Sequence, residues 1–236
     1  MGRIFEKRKY KMFARWAKMS KAFTKLGREI ALAVKGSGPD PAGNPRLRLV
    51  IQNAKSVNMP KDRIDAAIKR ASSKEEGDFQ ELTYEGYGPH GVPLFIETAT
   101  DNPTRTVANL RTILSRNGGS LGAEGSVGFM FERKGIFKIS PEGRNVEELE
   151  LELIDHGADD FVVDDEGEVF VYTAFSDYGA MQKALEEKKI PVLNAALQRL
   201  PTTATELSEE AELEVMTLID KLEEDDDVQA VYHNMK

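Results

Sequence analysis

The 236-residue sequence contains no cysteine, three histidines and one tryptophan, and its longest apolar runs are VPLFI and VGFMF. Without cysteine there is no disulfide framework, thiolate zinc knuckle, iron–sulfur ligation or thiol nucleophile, and a reducing compartment suits the chain. No run approaches the roughly 20 apolar residues of a membrane-spanning helix, and the N-terminus lacks the apolar core of a secretory signal. The expectation is a soluble, cytoplasmic protein without a membrane partner. Met1-Gly2 is not a myristoylation start, because Glu6 stands where Ser or Thr is required. An organelle presequence is set aside as well: the basic residues run on to Arg70 over patterned helices, with no Ser-rich leader before them.

Catalytic constellations are also missing. His90, His156 and His233 are far apart, none belongs to an HExxH pattern, and no GxSxG elbow or Ser/His/Asp order occurs. Expected are no enzymatic activity, no metal and no cofactor.

What the chain does have is charge, unevenly placed. Its 32 Lys/Arg and 40 Asp/Glu give a net charge of −8, which by itself argues against a polyanionic partner. Residues 1–70, however, hold 18 Lys/Arg and 5 Asp/Glu, while residues 71–236 hold 14 and 35, so the total is the sum of +13 and −21.

The basic part reads as helices. In KAFTKLGREIALAVK, Phe23, Leu26, Ile30 and Val34 form one stripe, with Lys21, Lys25, Arg28 and Lys35 on the opposite side. Gly36 to Pro45 breaks the pattern and reads as a mobile surface loop. A helix over about 45–57 turns Leu47, Val50, Ile51 and Ala54 inward. After Asn58-Met59-Pro60, Ile64, Ala67, Ile68 and Ala71 make a third stripe.

Past Ser72 the period becomes extended. LTYEGYGPHGVPLFIETATD reads as a hairpin, Pro103 to Arg116 as a helix ended by Asn117-Gly118-Gly119, and Val127 to Phe131 as the next strand. Residues 135–200 follow a strand-helix-strand-strand-helix-strand rhythm, with a turn at Asp164 to Gly167, that resembles a ferredoxin-like unit. A helix over about 209–224, capped by Ser208, and a final strand DVQAVYH cannot stand alone. They are expected to complete the sheet begun by residues 79–133.

Four motifs have a functional and a structural reading. Gly86 to Gly91 matches GxGxxG, but a strand follows where a dinucleotide site needs a helix, and a hairpin turn is preferred. NGGSLGAEGSVG, residues 117–128, has the glycines of a phosphate-cradling nest of N–H groups but no GK[ST] ending, and a flexible connection is preferred. Asp101 to Thr104 looks like a turn with a helix cap beside which Arg105 could bind an anion, and the structural reading is preferred. LEEDDDV, residues 222–228, lacks EF-hand spacing and reads as a solvated turn.

The N-terminal block departs most from a merely structural pattern. Arg3, Lys7, Arg8, Lys9, Lys11, Arg15, Lys18, Lys21 and Lys25 alternate with Phe5, Tyr10, Phe13, Trp16 and Phe23. Cations meet phosphates and aromatics stack on unpaired bases, which is the combination nucleic-acid surfaces use. With Arg28, Arg46, Arg48 and Lys55, these cations are the candidate nucleic-acid-binding residues. The alternatives are aromatics that pack the bundle with charges that only solubilise it, and a basic tail docked on the chain's own acidic domains.

MSKAFTKLGREIALAVKGSGPDPAGNPRLRLVIQNAKSVNMPKDRIDAAIKRA, YEGYGPHGVPLFIETATDNPTRTVANLRTILSRNGGSLGAEGSVGFMFERKG and LEEDDDVQAVYHN resemble the YebC/PmpR family, which includes the mitochondrial translational activator of cytochrome oxidase. The resemblance runs from about residue 12 to the end, and NMPKD and YEGYGPHG are its most specific motifs. At the start, MGRIFEKRKYKMFARWAKMSK replaces the family's usual GHSKW and marks a variant subgroup. The resemblance implies a three-domain α+β protein without enzymatic activity. It also implies one of two roles: DNA-binding transcriptional regulation in the cytoplasm, or relief of stalling at proline-rich sequences on the ribosome. Both set a basic surface on a polyphosphate, DNA or ribosomal RNA. The expected fold is α+β, a helical bundle (1–78) followed by two ferredoxin-like α/β units, one discontinuous (79–133 plus 202–236) and one inserted in it (134–201).

Overall fold

The computed structural model describes residues 22–73, 78–164 and 167–236. The fold is α+β: three N-terminal helices are followed by two four-stranded antiparallel sheets, each with helices on one face.

Helices α1 (Ala22–Ser37), α2 (Pro45–Ser56) and α3 (Lys61–Ala71) pack around Leu26, Ile30, Val34, Leu47, Val50, Ala54, Ile64 and Ala67, the stripes the spacing predicts. The α1–α2 connection, expected to be mobile, is instead fastened by Asn44. Its buried amide donates to Ala33 O (2.7 Å) and Gly38 O (2.8 Å), and its Oδ1 accepts from Leu47 N (2.9 Å), capping α2. Three hydrogen bonds to one side chain close a loop that glycine and proline content alone describes as loose.

The first sheet has the order β3-β1-β2-β8, with β1 (Gln80–Tyr87), β2 (Pro93–Thr100), β3 (Ser120–Leu121) and β8 (Val228–His233). Helices α4 (Pro103–Arg116) and α7 (Glu209–Glu223) cover one face through Leu94, Ile96, Leu110, Leu114, Val215, Leu218 and Val231. The chain's tail therefore supplies an outer strand and one helix of this layer. Asn102 and Ser208 cap α4 and α7, accepting from Arg105 N and Ala211 N. The Gly86–Gly91 motif is a hairpin connection, and Gly86 admits β3: a Cβ there would meet Ser120 O at 2.5 Å.

The second sheet has the order β5-β6-β4-β7, with β4 (Phe131–Ile139), β5 (Ala158–Val163), β6 (Val169–Ala174) and β7 (Val192–Pro201). With α5 (Val146–Ile154) and α6 (Tyr178–Glu187) it forms the inserted ferredoxin-like unit. Its core gathers Phe137, Ile139, Leu149, Leu153, Val171, Met181 and Leu185.

Val127 to Phe131, expected to be one strand, is divided. Residues 128–130 make a single helical turn, and β4 starts at Phe131, paired with Pro201. The reason is Glu85, whose carboxylate accepts from the N–H groups of Gly125 (2.9 Å), Val127 (2.6 Å) and Gly128 (2.8 Å), taking them out of any ladder. Phe131 pairs its backbone in the second sheet but packs its ring with Phe95 and Val127 of the first unit, so the crossover starts before residue 134.

Candidate nucleic-acid interface

The structure spreads the candidate cations over different environments. Arg3, Lys7, Arg8, Lys9, Lys11, Arg15, Lys18 and Lys21 lie outside the described residues, as does Trp16. Lys25 and Arg28, expected on an open cationic face of α1, turn toward the first sheet. Lys25, a residue only 8% exposed, donates from Nζ to Gln229 O (3.2 Å), and Arg28 Nη1 donates to Ala99 O (2.8 Å) and Asp227 Oδ1 (2.6 Å). Arg46 pairs with Glu81 on β1. Arg48 donates to Pro41 O and Ala42 O and reaches Glu186 of α6 at 3.4 Å. Lys55 is exposed and forms no ion pair among the described residues.

Four of the five described candidates thus bind the chain's own carboxylates or carbonyls. The joint is completed on α2, where Asn53 donates to Ala195 O (2.6 Å) and accepts from Ala195 N (3.1 Å), closing the open edge of β7. Leu49 packs against the second sheet's core. Arg199 of β7 pairs with Glu97 of β2 (2.9 Å) and lies 3.9 Å from the centroid of the Phe95 ring, tying the two sheets together.

At the centre of the joint is Asp227, 2% exposed, in the run that reads as a solvated turn. It accepts from Arg28, Thr100 (3.2 Å), Thr106 (2.8 Å) and Arg105 (2.9 Å to both oxygens). Burial alone would raise its pKa, but the bonds from Thr106, Arg105 and Arg28 prevail and hold it below the usual carboxylate value. Arg105 therefore holds an internal carboxylate, in line with the structural reading of its motif. The same holds for the glycine-rich nest at 117–128, which is filled by Glu85; burial opposes its charge, and the N–H bonds of Val127, Gly125 and Gly128 lower its pKa.

Glu29 faces the joint from α1. Burial pushes its carboxyl up to about 7, Arg46 and Lys25 oppose the rise, and Glu81 and Glu97 reinforce it.

The surface left open belongs mostly to α3. Lys61, Arg63, Lys69 and Arg70 are exposed there, and none forms an ion pair among the described residues. α3 follows α2 after a four-residue connection, Val57 to Pro60, at the break the sequence places at Asn58-Met59-Pro60. A groove of 460 Å³ runs between α1 and α3, with Phe23, Arg28, Arg63, Arg70 and Phe79 along it. Among the described residues no three His, Asp or Glu are grouped to hold a metal ion, and no helix is long and apolar enough to cross a membrane.

Comparison with known proteins covers nearly the whole chain. Residues 3–74 match the family model of the TACO1/YebC protein N-terminal domain, and residues 79–235 that of the TACO1/YebC second and third domain. A Cytophaga hutchinsonii protein named "Probable transcriptional regulatory protein" is 55% identical over 235 residues, covering all of this chain and 98% of the relative. An Anaeromyxobacter dehalogenans protein of the same description is 51% identical, with both chains fully covered. The crystal structure of a conserved hypothetical protein from Aquifex aeolicus superposes with a TM-score of 0.77 at 38% identity, covering 91% of this chain and 88% of that one. The relatives' names are regulatory rather than enzymatic, and on these matches the chain belongs to the TACO1/YebC family.

Proposed function

We propose that this protein is a non-enzymatic, nucleic-acid-binding regulator of gene expression that meets DNA through its basic N-terminal domain. The observation carrying this reading is the split of charge into +13 over residues 1–70 and −21 over the rest. Pairing within the fold accounts for Lys25, Arg28, Arg46 and Arg48, but leaves Lys55, Lys61, Lys69 and Arg70 facing solvent. We divide the chain into a basic helical domain (1–78), a discontinuous domain (79–133 plus 202–236) and an inserted domain (134–201). The acidic pair gives the basic domain its orientation and repels polyanions from the far side. The transcriptional names of the relatives favour DNA.

A ribosomal RNA target in translation is the second reading, favoured by the arginine and phenylalanine side chains that flank the α1–α3 groove. Filter binding across a salt series tests the shared claim. Each phosphate contact contributes a slope of about −0.9 in log affinity against log salt on duplex DNA, and replacing Lys7, Arg8, Lys9 and Lys11 together flattens it. Binding independent of salt, or no binding, refutes the claim. Whether promoter DNA or ribosomal RNA co-purifies after crosslinking in cells separates the two targets.

A further inference from the structure

Gly27 occupies the interior of α1, where alanine would serve the helix better. A Cβ added there meets no atom within 4 Å, and the backbone is not in the left-handed region, so neither crowding nor geometry calls for glycine. What the missing side chain leaves is room in the α1–α3 groove. On the facing helix, Arg63, Ala66 and Arg70 share a stripe at i, i+3 and i+7, so Gly27 and Ala66 make a flat floor between basic and aromatic groups. Arg63's guanidinium lies 5.7 Å from the centroid of Phe23's ring, and Arg28's lies 5.3 Å from that of Phe79. Arg28 is in turn fixed by Asp227 and Ala99 O, which holds the Phe79 side of the groove to the fold.

Resting on the nucleic-acid reading above, we propose that this groove seats one unpaired nucleotide of a single strand, its base against the aromatic and guanidinium faces and its phosphate on Arg63 and Arg70. The volume, 460 Å³, falls in the range of sites that enclose small molecules. Aromatic rings and guanidinium planes are the surfaces on which unstacked bases settle, and a single guanidinium can grip a phosphate through two parallel N–H bonds. A plain anion site needs neither the rings nor the flat floor, and a plain core contact does not leave two arginines exposed.

The test uses the full chain and labelled 12-nucleotide probes: single-stranded RNA, single-stranded DNA of the same sequence, and the duplex. Gly27→Leu fills the floor without disturbing the helix, Gly27→Ala adds only a methyl group with space around it, and Arg63→Ser/Arg70→Ser removes the cations while sparing the floor. Expected is preference of the wild type for a single strand, loss of about tenfold in affinity with Gly27→Leu and with the double arginine variant, and little change with Gly27→Ala. Melting temperatures of the glycine variants stay at or above that of the wild type. Abasic probes lose the same factor and become insensitive to Gly27→Leu. Tighter binding of the RNA strand than of DNA identifies the source as RNA, and the reverse identifies DNA. Should the wild type bind the probes while the variants, or abasic probes, bind equally well, the groove proposal falls and the broader reading stands. Should the wild type bind no nucleic acid at all, both fall.

Discussion

Asp227 joins three parts of the chain through one carboxylate: Arg28 of α1, Thr100 and Arg105 at the end of β2 and start of α4, and its own tail. Removing one partner of a buried ion pair leaves the others uncompensated, so Asp227→Ala should cost about 3–5 kcal/mol in urea unfolding, and Asp227→Asn less. Because its pKa is lowered in the folded state, its contribution is present above the unfolded carboxylate value and disappears as pH falls through the folded one. Glu29 has the opposite sign. Its folded pKa is raised from 4.5 to about 7, so the folded state takes up a proton that the unfolded state has released, and stability drops as pH rises across that interval. Glu29→Gln should flatten the stability profile between pH 4.5 and 7 and gain up to about 3 kcal/mol at pH 8, measured by denaturation at each pH. An unaltered profile would show that the carboxyl is ionised throughout.

Helix α4 could be read from sequence to the residue, because Asn102, Pro103 and the Asn117-Gly118-Gly119 stop are local signals with local causes. The same holds for the stripes of α1 to α3 and for the hairpin of β1 and β2. Where reading fell short, a distant residue decided the outcome. Val127 to Phe131 has the composition of a strand, but Glu85, some 40 positions away, takes its N–H groups. The loop before α2 has the composition of a flexible link, but Asn44 ties it to α1. Asn44→Ala should therefore cost about 1–2 kcal/mol, the upper part of the range for a lost cap, and should speed amide exchange at Leu47. Glu85→Gln should release the amides of Gly125, Val127 and Gly128 to exchange faster while leaving those of β1 protected. Uniform exchange across both segments would show that the carboxylate does not hold this turn.

For the whole molecule, the net charge of −8 hides a split into +13 over residues 1–70 and −21 over residues 71–236. The charge split was visible in the sequence, and so was the family. The assignment of each cation was not, since Lys25 and Arg28 become interior joints only once β8 and its preceding turn fold back over α1. What remains outward is α3, which no single sequence pattern distinguished from α1. Accordingly, Lys61, Lys69 and Arg70 replaced together by Ser should weaken nucleic-acid binding and lower the salt slope by up to about 0.9 per lost contact, without lowering thermal stability. The most direct measurement is site-specific photocrosslinking in cells, with a photoreactive residue at Lys69 on α3 or at Leu213, exposed on α7 of the acidic face. The account predicts crosslinked nucleic acid from position 69 and none from 213; nucleic acid recovered from 213 and absent at 69 would contradict it.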